Sequence, residues 1–368
     1  MRIAMVADHY YPHIGGVPEH CEHLTRQLRA WGHEVTIVTA RMGGDWTDAP
    51  YVRRVGASVV IHANGGQARL AYGWRLTARL ERLFREERYD VVHVQGGLAP
   101  TFGIVAPWAA FRAGIPVVAT FHTWFPRSVG YRVFRRTLQR MLDRHAATIA
   151  VSEPVISAMS RYFRANWEII PNGVDVNDFV RDGQASPYGS MRGPRLLFLA
   201  RLEPRNGLDT VLSAMPRILE RFPQAELIVA GDGPWRRTYE ERARPLGAAV
   251  RFAGRVLADR PALYVHADLF VSPTTRSSFG VTLLEAMACG TPMLLSDITG
   301  FRELIGGGRE AVLVPPQAPD AWADAAIALL ADPARRAAMA AAGVAKSARF
   351  AWPKVAEQVL AVYERVVR

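Results

Sequence analysis

Short apolar runs alternate with longer stretches of helical periodicity along most of the chain. The first run, Arg2–Ala7, is followed by a glycine-containing loop and a helical stretch from about Val17 to Trp31, which Gly32 ends. Four more strand-like runs follow in the first half: Val35–Thr39, Asp90–Val94, Val117–Phe121 and Thr148–Val151. Because parallel strands are buried on both faces and are joined by helices, this alternation indicates a parallel sheet wrapped by helices.

The same alternation restarts after a polar stretch rich in Gly, Ser and Pro, within residues 182–194. The later runs are Leu196–Ala200, Glu226–Ala230, Val250–Phe252 and Leu269–Ser272. A chain of 368 residues is also longer than one hydrophobic core usually serves. We therefore predict an α/β chain of two doubly wound domains joined near residues 170–194. Ligands are expected at the carboxyl ends of the strands, in a cleft between the domains.

Composition narrows the class of protein. Hydrophobic residues make up 49% of the chain, which excludes a disordered protein. The longest apolar stretch, residues 98–111, is broken by two prolines and is too short to span a bilayer. Asp8 and His9 interrupt the first apolar run too early for a signal peptide. Cys21 and Cys289 form neither a disulfide framework nor a zinc site, so a reducing cytoplasm is expected.

Positive charge is concentrated in the first half. The net charge is +11, and residues 1–170 carry 21 Lys and Arg against 13 Asp and Glu. Such an excess indicates an anionic partner, either lipid or nucleic acid, unless the basic surface is idle. The sequence contains no helix-turn-helix, zinc or RNA-binding signature, so nucleic acid is disfavoured.

Two basic amphipathic stretches lie in this half. Residues 75–85 place Leu76, Leu80, Leu83 and Phe84 on one helical face. Residues 132–144 carry five arginines against one aspartate, with this apolar side: Val133, Phe134, Leu138, Met141 and Leu142. Basic amphipathic helices suit an anionic membrane surface, although helices packed on a sheet have the same pattern.

The segment RSSFGVTLLEAMACGTP, residues 276–292, has the strongest chemical signal. Its Phe279-Gly280-Val281 would begin a helix whose free N–H groups and dipole can hold a diphosphate. Glu285 lies one turn further, where a carboxylate can accept hydrogen bonds from ribose hydroxyls. A surface glutamate is disfavoured because its neighbours are apolar.

Two further segments fit phosphate chemistry. Gly15-Gly16 precedes the first helix and would let backbone N–H groups approach a phosphate, although a plain turn explains a lone Gly-Gly equally well. Arg201 follows the first strand of the second half, where a guanidinium can neutralise a leaving diphosphate. No two aspartates stand two residues apart, so arginines and helix dipoles replace an acidic metal clamp.

Six segments together carry a resemblance to a known family: IGGVPEH near the start, FHT at 121–123, IPNGVDVNDF at 170–179, ARLEPRNG at 200–207, VAGDGP at 229–234 and SFGVTLLEAMACGTP. The chain resembles the family 4 retaining glycosyltransferases of the GT-B type over essentially its whole length. Within that family it looks most like the phosphatidylinositol mannosyltransferases. The narrower resemblance rests on ANGGQARL at 63–70, FHTWFPRS at 121–128 and the closing FAWPKVAEQVLAVYERV at 350–366.

The resemblance implies a domain plan. Residues 1–169 would bind the acceptor, residues 170–350 would bind the nucleotide sugar, and residues 351–368 would form a helix that returns to the first domain. The donor-binding positions it implies are Gly16, Arg201, Asn206, Val256, Ser277, Phe279, Gly280, Val281 and Glu285. Gly16 would approach the β-phosphate, Arg201 would bind the diphosphate and Val256 would lie near the base.

On the acceptor side, His122 matches the family's histidine beside the transferred sugar, and we count it with Arg201 as catalytic. The acceptor-binding positions are Asn64, Arg69, Thr123 and Arg127. In the inositol-lipid enzymes such positions meet a phosphate-bearing head group. The resemblance thus implies metal-independent transfer of a hexose, expected to be mannose from GDP-mannose, to an anionic lipid at the inner face of the cell membrane.

Two positions depart from the family pattern. Asn206 stands where the family usually has Lys, and Ser277 stands where it has Glu. These departures leave alternatives open: a transferase that uses a UDP-sugar on another glycolipid or soluble acceptor, or a relative that binds nucleotide or lipid without turnover. A nucleotide-sugar 2-epimerase can share the architecture, but the sequence reveals no acid/base carboxylates for it.

Overall fold

A computed structural model describes residues 1–13, 15–42, 47–63, 66–99, 101–179, 193–256 and 260–368, with the side chains of residues 60–63 and 66–70 left out. Internal packing divides the chain into two units. The first comprises Met1–Gly173 and Trp352–Arg368, and the second comprises Val174–Ala351. These borders fall slightly after those expected at residues 169 and 350.

An eight-stranded sheet forms the centre of the first unit. Its strands are β1 (Arg2–Ala7), β2 (Glu34–Arg41), β3 (Val52–Ala63), β4 (Gly66–Tyr72), β5 (Val91–Gln95), β6 (Val117–Phe121), β7 (Ala147–Ala150) and β8 (Trp167–Ile169). They lie in the order β4-β3-β2-β1-β5-β6-β7-β8. The β3–β4 pair is an antiparallel hairpin at one edge, and the other neighbours are parallel.

Helices cover this sheet on both faces: α1 (Gly16–Ala30), α2 (Leu76–Glu87), α3 (Phe102–Ala113), α4 (Val129–Val133), α5 (Arg135–Leu142) and α6 (Glu153–Ser160). The apolar face predicted for residues 75–85 is confirmed, because Leu76, Leu80 and Phe84 of α2 are buried. They pack in one cluster with residues of β1, β5 and α3.

The prediction of one continuous helix over residues 132–144 is wrong. Phe134 interrupts the helix and separates α4 from α5. Leu138, Met141 and Leu142 repeat at helical spacing on α5 and are buried, whereas Val133 and Phe134 lie outside that stripe and are 67% and 61% exposed. The five apolar residues therefore do not share one face.

The second unit contains a six-stranded, fully parallel sheet. Its strands are β9 (Arg195–Leu199), β10 (Glu226–Ala230), β11 (Val250–Gly254), β12 (Leu269–Ser272), β13 (Met293–Ser296) and β14 (Ala311–Val314). They lie in the order β11-β10-β9-β12-β13-β14. Its helices are α7 (Leu208–Arg221), α8 (Arg236–Ala243), α9 (Arg260–Val265), α10 (Val281–Ala288), α11 (Thr299–Ile305), α12 (Pro319–Ala331) and α13 (Pro333–Ser347). The predicted architecture of two Rossmann-like α/β domains is confirmed.

The last helix, α14 (Trp352–Val367), belongs to the first unit. Its buried residues Val355, Val359 and Val362 pack in one cluster with Leu24 and Leu28 of α1. The chain thus leaves the first unit after β8 and re-enters it with α14. Among the described residues, no helix combines the length and the apolar character needed to cross a membrane.

Candidate active site

Polar side chains of the first unit collect where β1, β5 and β6 end. Asp8 follows β1, Gln95 ends β5 and His122 follows β6. These strands are neighbours in the sheet, and the chain order reverses between β1 and β5. Such a switch point at the carboxyl ends of parallel strands is where doubly wound sheets bind ligands.

His122 is a neutral imidazole with a defined orientation. Its Nε2 donates to the Gln95 carbonyl oxygen Oε1 at 2.7 Å, and its ring lies 4.9 Å from that of His20, edge to face. Burial lowers the pKa of His122 well below its usual 6.5, and the nearby histidines add to the effect. Nε2 therefore carries the ring proton, which it donates to Gln95, and Nδ1 is the acceptor nitrogen of this ring.

A buried polar chain supports this arrangement from behind. His93 on β5 bonds Tyr363 of α14 through Nδ1 at 2.5 Å and Thr120 of β6 through Nε2 at 2.7 Å. Burial lowers the pKa of His93 to about 3, so it too is neutral. The Gln95 amide nitrogen lies 3.2 Å from His93 Nε2. The returning helix is therefore linked to His122 through β5.

A second contact joins α1 to the loop after β8. His20 Nδ1 lies 3.0 Å from Asn172 Oδ1, and burial lowers the pKa of His20 to about 4. The IGGVPEH and IPNG segments of the sequence thus meet beside His122. The indole of Trp352 lies 5.3 Å from the His20 ring and closes this corner.

Asp8 anchors the start of α3. Its Oδ1 accepts the backbone N–H of Phe102 at 3.0 Å, and burial raises its pKa to about 7. A carboxyl group at the edge of the site therefore changes protonation near neutral pH.

The acceptor-side positions differ in what the structure shows of them. Thr123 and Arg127 are exposed on the loop between β6 and α4. That loop is held by Tyr162, whose hydroxyl accepts the Ser128 N–H at 2.8 Å. Asn64 lies outside the described residues. Arg69 is on β4, paired in the hairpin with Val60, and its side chain is not described.

In the second unit, the loop after β9 carries the predicted diphosphate ligand. Glu203 is buried and pairs through Oε1 with Arg201 Nε at 2.8 Å and through Oε2 with Arg205 Nε at 3.0 Å. One carboxylate thus holds two half-exposed guanidinium groups. Asn206 is buried and donates from Nδ2 to the Arg201 carbonyl at 2.6 Å.

The loop after β12 and the start of α10 lie next to this segment. Gly280 precedes α10 with a φ of 98°, which favours glycine, and Phe279 before it is buried. Val281 begins the helix, and the Ser277 carbonyl lies 2.6 Å from where a Cβ on Gly300 would be. The chain order reverses between β9 and β12, so this is the switch point of the second sheet.

Glu285 is buried on α10 and engaged within the protein. Its Oε1 pairs with Arg260 Nη1 at 2.9 Å, and its Oε2 accepts from the Tyr264 hydroxyl at 2.8 Å. Arg260 and Tyr264 thereby fix the orientation of the carboxylate.

The remaining donor positions lie at element ends. Gly16 is the first residue of α1, and no heavy atom of the described chain comes within 4 Å of a Cβ built there. Protein packing therefore does not require glycine at this position, but close approach of a ligand would. Val256 follows β11 and is partly buried.

Sequence reasoning missed several supporting residues. His20 and Asn172 belong to the IGGVPEH and IPNGVDVNDF segments, but they are 152 positions apart and no periodicity predicts their contact. Gln95 lay just outside the predicted strand Asp90–Val94 and had no assigned role. Arg260 and Glu203 carried no spacing signal, because their partners are set by the fold. In the part of the chain that is described, no group of three or more metal-ligating side chains occurs.

Comparison with known proteins places these features in a family. A family model described as "Glycosyltransferase Family 4" matches residues 14–178, and one described as "Glycosyl transferases group 1" matches residues 193–332. The phosphatidyl-myo-inositol mannosyltransferase of Mycobacterium tuberculosis is 34% identical over 100% of this chain and 97% of its own.

Two further comparisons agree. The GDP-mannose-dependent alpha-(1-6)-phosphatidylinositol monomannoside mannosyltransferase of Mycobacterium tuberculosis is 30% identical over 93% of this chain and 92% of its own. Among solved structures, sucrose-phosphate synthase from Thermosynechococcus elongatus has a TM-score of 0.79 at 23% identity, covering 99% of this chain and 98% of that one. The last likeness concerns the fold alone.

Proposed function

Since the chain belongs to glycosyltransferase family 4, we propose that it transfers a mannosyl residue from GDP-mannose to a lipid of the phosphatidylinositol type. The observation that carries the proposal is the 34% identity, over the full chain, to proteins named phosphatidyl-myo-inositol mannosyltransferases. The proposed donor is supported by a second group of relatives, whose name specifies GDP-mannose.

The second unit would bind the donor. Glu285, oriented by Arg260 and Tyr264, would accept hydrogen bonds from the ribose hydroxyls. Arg201 and the N-terminus of α10 would stabilise the diphosphate as it departs, because a guanidinium and a helix dipole both favour negative charge. Val256 would lie beside the base. No bound metal is needed in this proposal.

The first unit would bind the acceptor and the transferred sugar. His122, neutral and held by Gln95, would offer Nδ1 to a sugar hydroxyl. Arg127 and Arg69 would pair with the phosphate of the lipid head group, with Asn64 and Thr123 nearby. An arginine fork binds phosphate through two parallel hydrogen bonds, which suits such a head group.

The reaction would retain the anomeric configuration. The bond between the sugar C1 and the β-phosphate oxygen breaks, and a bond from C1 to an acceptor hydroxyl oxygen forms on the same face. The acceptor proton passes to the leaving phosphate oxygen, so the products are the mannosylated lipid and GDP. Exclusion of water would suppress hydrolysis of the donor.

Incubation of the purified protein with radiolabelled GDP-mannose and vesicles tests this function. Label should pass to the lipid extract with phosphatidylinositol vesicles but not with phosphatidylcholine vesicles, and His122→Ala should lower this transfer while GDP still binds. A faster reaction with a UDP-sugar or with a neutral soluble acceptor contradicts the stated substrates. Nucleotide binding without transfer or donor hydrolysis supports the non-catalytic alternative.

The same proposal includes docking on the inner face of the cell membrane. A surface formed by α4, α5 and Arg164 after α6, here called the arginine surface, lines a depression of about 930 Å³. Its members are Arg132, Val133, Arg135, Arg136, Gln139, Arg140, Asp143 and Arg164. Val129, Val133 and Phe134 are exposed apolar residues of the same segment. Exposed apolar side chains in the same segment as arginines suit an interface rich in anionic lipid, where each cation adds about 1 kcal/mol.

Vesicle sedimentation tests the docking. The double variant Val133→Ser with Phe134→Ser should reduce binding to vesicles that contain phosphatidylserine, because it removes the inserting side chains. Val344→Ser is the matched control, since Val344 is an exposed valine of the second unit. Binding should also weaken as salt is raised, owing to charge screening. Equal binding by all three proteins contradicts docking through this surface.

A further inference from the structure

The charge balance of the loop after β9 poses a problem for an anionic ligand. Arg201 is the residue expected to bind a diphosphate, yet its Nε is paired with the buried carboxylate of Glu203 at 2.8 Å. An isolated Arg–Glu pair has no net charge and would attract a diphosphate weakly. A second cation at the same carboxylate would restore a net positive charge.

Arg205 is placed to supply that cation. Its Nε pairs with the other oxygen of Glu203 at 3.0 Å, so the two guanidinium groups flank one carboxylate. Each arginine uses its Nε in this pairing, and each side chain remains partly exposed, at 35% for Arg201 and 48% for Arg205. The terminal nitrogens of two forks are thus held on one short loop, and the trio carries a net charge of one positive unit.

The backbone of this loop contacts the loop after β12, at the switch point of the second sheet. The Arg205 carbonyl accepts from both the N–H and the hydroxyl of Thr275, at 2.9 Å and 3.0 Å. Gly207 has a φ of 74°, and a Cβ there would lie 2.1 Å from the Pro273 carbonyl oxygen. Arg205 is therefore anchored to the loop that leads to the N-terminus of α10.

Asn206 does not take this role. It is neutral and buried, its Nδ2 donates to the Arg201 carbonyl, and its Oδ1 accepts from the Thr274 hydroxyl at 3.3 Å. Its amide braces the loop from within. A residue committed to two internal hydrogen bonds offers no charge to a ligand.

We propose that Arg205 is a second ligand of the donor diphosphate. Glu203 positions Arg205 for this role by the same kind of ion pair through which it holds Arg201. The proposal rests on the proposed function, since it concerns the same donor site. It makes the β-phosphate, rather than the base or ribose, the part of the donor that depends on Arg205. Arg205 thereby replaces, from a neighbouring position, the charge that Asn206 does not provide.

Calorimetric titration with GDP and GMP isolates this contribution, because the two ligands differ only in the β-phosphate. The wild type should bind GDP more tightly than GMP. Arg205→Ala should raise the dissociation constant for GDP about tenfold and leave that for GMP within about twofold. Arg205→Lys, which keeps the charge but not the fork, should fall between them. A thermal melt of each free protein checks that the variants are folded.

One further protein sharpens the test. Arg237→Ala removes an equal charge from a side chain of the second unit that is 91% exposed, and it should leave the preference for GDP unchanged.

The outcomes distinguish a wrong role for Arg205 from a wrong donor site. A GDP preference that survives Arg205→Ala, or that falls equally with Arg237→Ala, overturns the assignment of Arg205 and leaves the glycosyltransferase function standing. If the wild type binds neither GDP nor UDP, both the proposed donor site and the assignment of Arg205 are wrong.

Discussion

At the scale of single residues, Glu285 carries the sharpest expectation for donor binding. Its carboxylate is buried and already held by Arg260 and Tyr264, so a ligand meets an oriented acceptor. Glu285→Gln keeps the shape and removes the charge. A hydrogen bond to a charged group contributes about 1.5–3 kcal/mol, so the dissociation constant for GDP should rise about tenfold or more.

Isothermal titration with GDP measures this change. Glu240→Gln is the matched control, because Glu240 forms an exposed ion pair with Arg236 on α8. Its affinity for GDP should equal that of the wild type. An unchanged affinity in Glu285→Gln removes Glu285 from the donor site.

Asp8 should make the stability of the first unit depend on pH. Its folded pKa of about 7 lies above the usual 3.8, so the folded chain keeps a proton that the unfolded chain loses between these values. The contribution of Asp8 protonation to the free energy of unfolding is fully present below about pH 4 and is lost as the pH rises through 7. Asp8→Asn cannot ionise, so its stability relative to the wild type should increase by up to about 1.4 kcal/mol per pH unit between pH 5 and 7.

Urea unfolding of both proteins at pH 5, 6, 7 and 8 checks this. The difference between them should grow up to pH 7 and level off above it. Parallel stability curves over the whole range would show that Asp8 is ionised throughout.

At the scale of elements, α14 ties the end of the chain to the site through one hydroxyl. Tyr363→Phe removes the bond to His93 Nδ1 and leaves a buried ring nitrogen without that partner. Such a loss costs about 1–3 kcal/mol. Urea unfolding should show this destabilisation, whereas Tyr72→Phe, at an exposed tyrosine, should behave as the wild type does. Equal stability of the two variants contradicts a structural role for the bond.

The elements also show where local patterns suffice. Strands such as β6 and β12 were predicted to their exact bounds, because each is an apolar run buried on both faces. The hairpin of β3 and β4 was missed, although its sequence contains an Asn-Gly-Gly turn signal at residues 64–66. An edge hairpin buries less apolar surface, so its pattern is weaker.

At the scale of the whole molecule, we expect transfer to proceed without a divalent metal. The sequence has no acidic clamp, and Arg201 with α10 would carry the charge of the leaving group. Lipid-linked label formed from GDP-mannose should therefore be the same in excess chelator as in magnesium. Loss of transfer in the chelator, restored by magnesium or manganese, contradicts this prediction.

The sequence by itself determined the fold class, the two-domain plan and the family, because buried parallel strands, helix starts and contiguous motifs are all local patterns. It also located Arg201 and His122 just after the carboxyl ends of strands, where doubly wound sheets bind ligands, and Glu285 one turn into the helix that follows β12.

Only the tertiary structure decided which side chains orient them. Gln95 beside His122, Arg260 beside Glu285 and Glu203 between its two arginines are contacts at distances of a few ångströms. The fold also separated Val133 and Phe134 from the buried face of α5. Periodicity along a chain reports burial of one face, but a hydrogen bond or ion pair depends on how separate elements pack, which no local pattern contains.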